Sequence, residues 1–161
     1  MSRPNALDAQ FPDPDPDDPE GYGAREAPYG KQLGGEELTV RLYMLPPGQA
    51  LCPYHYEYVE EWLIVMTGEV QVRTPTGTQP AHAGDLLRFP KGPDGAHKVI
   101  NQSDEPARIV MFSSNATPAV AVYPDSDKVG VWTDNGQDEF MFRRPDAKVA
   151  YFDGELEAPT G

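Results

Sequence analysis

Between residues 37 and 124 the chain is punctuated by Pro, Gly, Asn and Asp, and the short stretches between them are rich in β-branched and aromatic residues. That rhythm limits the fold more than any other feature, because runs so short make strands and turns and leave no room for long helices. Seven runs read as strands: 37–45 (ELTVRLYML), 60–68, 69–75, 85–90, 97–103, 107–114 and 120–124. The first is stopped by Pro46-Pro47-Gly48, and PTGT at 75–78 is a hairpin-type turn. No helical period accompanies them, and 18 Pro with 15 Gly in 161 residues exclude a helical bundle. The prediction is an all-β sandwich or small barrel in a single domain.

The barrel is expected over 37–124, flanked by two different segments. Residues 1–36 form an acidic, Pro-rich arm, with Pro at 12, 14, 16 and 19. Such spacing forbids a helix and favours an extended leader, either solvated or draped over a partner subunit. Residues 125–161 carry Trp132, Phe140, Phe142, Tyr151 and Phe152 and read as a tail packing on the barrel or on a partner.

Charge removes several classes of function. Thirteen basic against 26 acidic residues leave −13, which argues against binding nucleic acid or an anionic membrane surface. The longest apolar run, Trp62 to Met66, is far short of a bilayer span, and residues 1–16 lack the apolar centre of a signal peptide. A cytoplasmic protein is expected. Cys52 is the one cysteine, so an internal disulfide and a thiolate zinc cluster are both excluded; a small buried hydrophobe is the expectation for it.

The chemistry concentrates on few residues. Of three histidines, at 55, 82 and 97, His55 lies two residues before Glu57, and on a strand that spacing turns both to one face. Glu61 shares the odd register, and Leu63 and Val65 continue it as core. Glu60 should point the opposite way, solvated or paired. His97 opens another run, with Val99 and Asn101 in its register. Two imidazoles with one or two carboxylates suit a borderline divalent metal such as Zn, Fe, Mn or Ni. His82, before a Gly-Asp turn, reads as exposed. Tyr54, Tyr56 and Tyr58 form a stripe opposite His55, expected to pack against another sheet or subunit.

These residues fall into two motifs that resemble those of the cupins. The first runs Gly48, six residues, His55, Tyr56, Glu57, three residues, Glu61, six residues, Gly68. The second runs Gly84, five residues, Pro90, Lys91, Gly92, four residues, His97, three residues, Asn101. Fifteen residues separate them. The resemblance covers 48–101 and implies a jelly-roll barrel, the double-stranded β-helix of the family, with a metal inside near one mouth. Carried across by position, the metal ligands would be His55, Glu57, Glu61 and His97. The departure of most chemical consequence is Glu57, which stands where the family motif has its second His.

The function expected is a metal-dependent enzyme, of isomerase or dioxygenase type, acting on a small polar organic molecule. Glu57 would be a fourth ligand or a catalytic general base. The alternative is a non-catalytic module binding a sugar-like ligand. Two carboxylates would cancel the charge of a divalent ion, and bases between the motifs are few (Arg73, Arg88, Lys91), so a neutral ligand is expected. A homodimer is also expected, because Trp62, Ile64 and Met66 give the strand at 60–68 a second apolar face that needs cover.

Overall fold

The computed structural model describes residues 4–133 and 139–153. Its strands are β1 (Arg25–Ala27), β2 (Leu38–Leu45), β3 (Tyr56–Glu57), β4 (Glu61–Thr67), β5 (Glu69–Thr74), β6 (Gly77–His82), β7 (Leu86–Phe89), β8 (Lys98–Ile100), β9 (Ala107–Ser114), β10 (Ala119–Tyr123), β11 (Lys128–Trp132) and β12 (Phe140–Arg143). Two one-turn helices, α1 (Tyr29–Gln32) and α2 (Arg144–Ala147), complete it together with two short 3-10 turns. All seven expected strands are present, and each paired strand is antiparallel to its neighbour. One sheet has the order β1-β2-β9-β4-β7; the others are β12-β11-β10-β3 and β6-β5-β8. The long-range order 2-9-4-7 is that of a jelly roll, not of consecutive hairpins. The fold is an all-β jelly-roll barrel.

Alternation along the strands builds the core. On β4, Leu63 and Val65 point inward and are essentially fully buried; on β9 Ala107, Ile109 and Met111 do the same. The register sets Leu63 opposite Met111 and Val65 opposite Ile109, so the two inward rows interlock. Truncating one of these large side chains to Ala would cost about 2–5 kcal/mol. Five strands, β1, β3, β6, β11 and β12, lie outside the seven expected, and β6 is hidden because Pro80 interrupts it. It lies at the edge of its sheet, where a missing N–H leaves no ladder bond unmade.

The arm does not stay in solvent. Ala9 and Ala27 are buried against Leu42 on the outer face of β2, with Phe11, Tyr29 and Val40 packed around them. Arg25 pairs with Asp13, and the Arg108 guanidinium donates to the Leu7 carbonyl. Sparse apolar residues in a Pro-rich segment suffice here because the outer face of β2 is already apolar; the arm covers its own chain. The tail joins by its backbone, with β11 and β12 extending the sheet from β10, while Phe140, Phe142, Tyr151 and Phe152 remain exposed. Tyr54 and Tyr56 pack with Ala96 and Val122, as the stripe predicted, whereas Tyr58 is exposed.

Candidate metal centre

His55 and His97 face each other across an isolated antiparallel bridge. The His55 N–H donates to the His97 carbonyl (3.1 Å) and the His97 N–H to the His55 carbonyl (2.8 Å). Such a pair of mutual bonds places both side chains on one face, and the imidazole centroids are 4.8 Å apart. His97 is fully buried, its ring stacked on Phe89 at 3.7 Å. Glu61 enters at the start of β4, paired in register with Phe89 on one side and Ser113 on the other. Its Oε2 is 3.9 Å from Nε2 of His55 and 3.9 Å from Nε2 of His97. One ligand atom from each of His55, Glu61 and His97 lies within 4.8 Å of the others.

Backbone carbonyls set the tautomers. Nδ1 of His97 is 2.9 Å from the Gly95 carbonyl, and Nδ1 of His55 is 3.0 Å from the Pro53 carbonyl. A carbonyl only accepts, so each Nδ1 carries the proton and each Nε2 presents a lone pair toward Glu61. Nε2 of His97 is buried without any hydrogen-bond partner. A buried acceptor left unmatched costs about 1–3 kcal/mol, and a metal ion satisfies it. The Gly95 carbonyl can approach only because residue 95 lacks a side chain: a Cβ there would lie 1.6 Å from the Pro90 carbonyl oxygen.

Electrostatics point the same way. Burial, and secondarily His55, push His97 down to about 4, against the pull of the Gly95 carbonyl. Burial also lowers His55. Both rings are therefore neutral at neutral pH, as ligation requires. Burial, with Glu57 adding to it and Arg41 opposing it, pushes Glu61 up to about 8. A carboxyl so costly to ionise gains most from a cation beside it. Glu57 lies next to this set, Oε1 3.9 Å from His55 Nε2, but outside the group whose ligand atoms converge. Burial raises its pKa too, with Arg41 opposing.

The set opens into a cavity of about 470 Å³ whose walls include Arg41, Tyr43, Tyr123 and Trp132. None of these four was singled out from the sequence as a site residue. Arg41 and Tyr43 share the inward register of β2 with the fully buried Leu45. That alternation was the available signal. Cys52 also lines the cavity, with Sγ 3.5 Å from His55 Nδ1, and burial pushes its thiol up to about 12, which keeps it protonated. His82 ends β6, exposed and paired with Glu69. Glu60 points away from Glu61 and accepts from Trp62 and Arg88, as its register predicted.

Residues 41–113 match the family described as "Cupin domain", the stretch that holds every residue of the converging set. That stretch is similar to the cupin domain. Among solved structures, the fold resembles a sugar phosphate isomerase of the cupin superfamily from Silicibacter pomeroyi, with a TM-score of 0.73 and 24% identity over 80% of this chain and 82% of that one. It also resembles the polyketide cyclase RemF from Streptomyces resistomycificus, with a TM-score of 0.60 and 15% identity over 74% and 83% of the two chains. A curated relative, polyketide synthase CurC from Streptomyces cyaneus, is 29% identical over 86 residues, 53% of this chain and 54% of its own. The match thus spans about half the length of that relative. In this chain both motif histidines and the motif glutamate Glu61 converge, while Glu57, at the position of the second motif His, stands to one side.

Proposed function

We propose that the cavity is the active site of a metal-dependent enzyme acting on a small polar organic molecule, by isomerase-type or oxygenase-type chemistry. The orphaned Nε2 of His97 carries this reading, because it is a lone pair buried at 0% exposure and aimed at a second imidazole and a carboxylate. His55, Glu61 and His97 would hold the ion, and the two-nitrogen, one-oxygen donor set suits Zn, Fe, Mn or Ni. When bound, such an ion supplies Lewis acidity toward a carbonyl or hydroxyl oxygen.

Glu57 is assigned the acid–base role in preference to that of fourth ligand, since it lies beside the converging atoms and still faces the cavity. In the isomerase form its carboxylate takes a proton from carbon or hydroxyl and returns it to the neighbouring atom, leaving no net change in the protein. Burial raises its pKa, which brings the carboxyl closer to the range where it both accepts and donates near neutral pH. Tyr123 and Trp132 would give the substrate aromatic walls to pack against. The homodimer belongs to the same proposal: Trp62 stacks on Phe112 on the outer face of the large sheet, and Leu86 beside them is exposed.

The test is solvent deuterium incorporation by NMR into a panel of small hydroxy-ketones and hydroxy-acids. Zinc- or manganese-loaded protein is expected to exchange a carbon-bound proton, and Glu57→Gln is expected to lose exchange while keeping its metal. A metal-loaded protein that binds members of the panel and exchanges none would be a binding module, and the enzymatic reading would fall.

A further inference from the structure

The neutral ligand expected from the sequence rested on two carboxylates cancelling the ion and on the scarcity of bases between the motifs, and of those bases, Arg73, Arg88 and Lys91, none lines the cavity. Arg73 is held by Asp125 at 2.6 Å, and Arg88 by Glu60 at 2.7 Å. Arg41, outside both motifs, does line it, and among the described lining residues it is the one Lys or Arg. Strand alternation explains the placement. On β2, Leu45 lies in the core at 0% exposure, and Arg41, four residues earlier on the same face, lines the cavity with its side chain 51% exposed. Its charge reaches the centre, because it opposes the raised pKa of both Glu57 and Glu61.

The charge count then changes. A divalent ion with Glu57 and Glu61 is neutral in sum, and Arg41 leaves the cavity at +1. A guanidinium keeps its charge at any working pH and offers a planar fork of donors that fits a carboxylate or phosphate. The guanidinium has two present partners, the cavity-lining Tyr43 hydroxyl, which accepts from it, and Glu26, and the Glu26 pair is weak. Glu26 Oε2 lies 3.5 Å from Nη1 in a pair exposed to solvent, and Glu26 belongs to a neighbouring hollow walled by the arm, not to the cavity. Exposed pairs of this kind contribute little, so a ligand oxyanion can displace it.

We propose that Arg41 receives the oxyanion of the substrate, a carboxylate or phosphate, while the substrate's reacting end faces Glu57 and the His55–Glu61–His97 set. This rests on the reading of the cavity as the active site. It makes Arg41 the residue that selects acids over neutral compounds of the same shape.

Titration calorimetry on the full chain, zinc-loaded and chelator-stripped, tests it with four probes: salicylate and glycerol 3-phosphate against their neutral counterparts salicylamide and glycerol. The wild type should bind at least one anion more tightly than its neutral counterpart. Arg41→Gln should weaken that anion by about tenfold or more, leaving metal content and the neutral counterpart unchanged. Arg41→Lys should fall between, because it keeps the charge and loses the fork. Glu26→Gln should tighten the anion severalfold by freeing the guanidinium. Whichever anion responds identifies the class, carboxylate or phosphate. Arg41→Gln with unchanged affinity for both anions, or a wild type that binds neither anion in preference to its neutral counterpart, would overturn the proposal. A chain that takes up no zinc yet loses anion binding in Arg41→Gln would keep Arg41's role and remove the metal reading, so the two failures are distinct.

Discussion

Replacing Glu61 by Gln should stabilise the metal-free protein and weaken the metal-bound one. The side chain is 14% exposed, and burial lifts its carboxyl from 4.5 to about 8. Its folded pKa is thus above its unfolded value. Between those two values the folded chain holds a proton that the unfolded chain has lost, so stability falls as pH rises from about 4.5 to 8 and is level above. The interval corresponds to about 5 kcal/mol at 1.36 kcal/mol per pH unit. The open cavity admits water, and about 2–3 kcal/mol is the expected share. Gln has the same shape and no charge to desolvate. In urea denaturation with chelator, Glu61→Gln should match wild type near pH 4.5 and exceed it by that amount at pH 8.5. With added zinc the order should reverse, because the wild type gains binding energy that the variant lacks. His97 contributes with the opposite sign below pH 6.5, where its depressed pKa of about 4 makes stability fall as pH falls, in both proteins alike. Identical pH dependence of wild type and Glu61→Gln without metal, or equal stabilisation of both by zinc, would refute the reasoning.

Three further outcomes are expected. Asn101 is fully buried, donating to the Leu45 and Glu105 carbonyls and accepting from the Ser103 amide and hydroxyl; Asn101→Ala should cost about 3–4 kcal/mol in urea denaturation, and a loss under 1 kcal/mol would contradict the network. Glu57→His should retain metal by mass spectrometry and raise the affinity for azide, since the site gains about one positive charge; unchanged azide binding would count against the charge argument. Light scattering at micromolar concentration should give about 35 kDa, twice the 17.7 kDa chain, whereas about 18 kDa would exclude the dimer.

Much of this site was legible because its register is local. His55 and Glu57 share one parity at β3, and Glu61, Leu63 and Val65 share one on β4, and within each strand parity turns directly into a face. What period 2 cannot supply is depth. Glu57 and Glu61 stand on strands of different sheets, and only Glu61 converges with the histidines, because it begins β4 between β7 and β9 while Glu57 sits on the two-residue β3 beside β10. Arg41 was missed for another reason. It lies outside both motifs, and only the pairing of β2 with β9, about 70 residues away in sequence, brings it to the same cavity. The arm shows how composition misleads: many prolines and acids suggested solvation, yet a few apolar side chains such as Ala9, Phe11 and Ala27 found an apolar sheet face waiting in their own chain. β6 was lost to Pro80, a residue that argues against a central strand and is harmless at an edge.

The central claim is that His55, Glu61 and His97 form a metal site, and elemental analysis by plasma mass spectrometry of protein purified without chelator tests it most directly, with His97→Ala alongside. The expected result is about one equivalent of a divalent transition metal per wild-type chain and a loss of most of it in His97→Ala, whose β-sheet circular dichroism is retained. A wild type that carries no such metal and takes none up on dialysis against zinc, iron, manganese or nickel would contradict it.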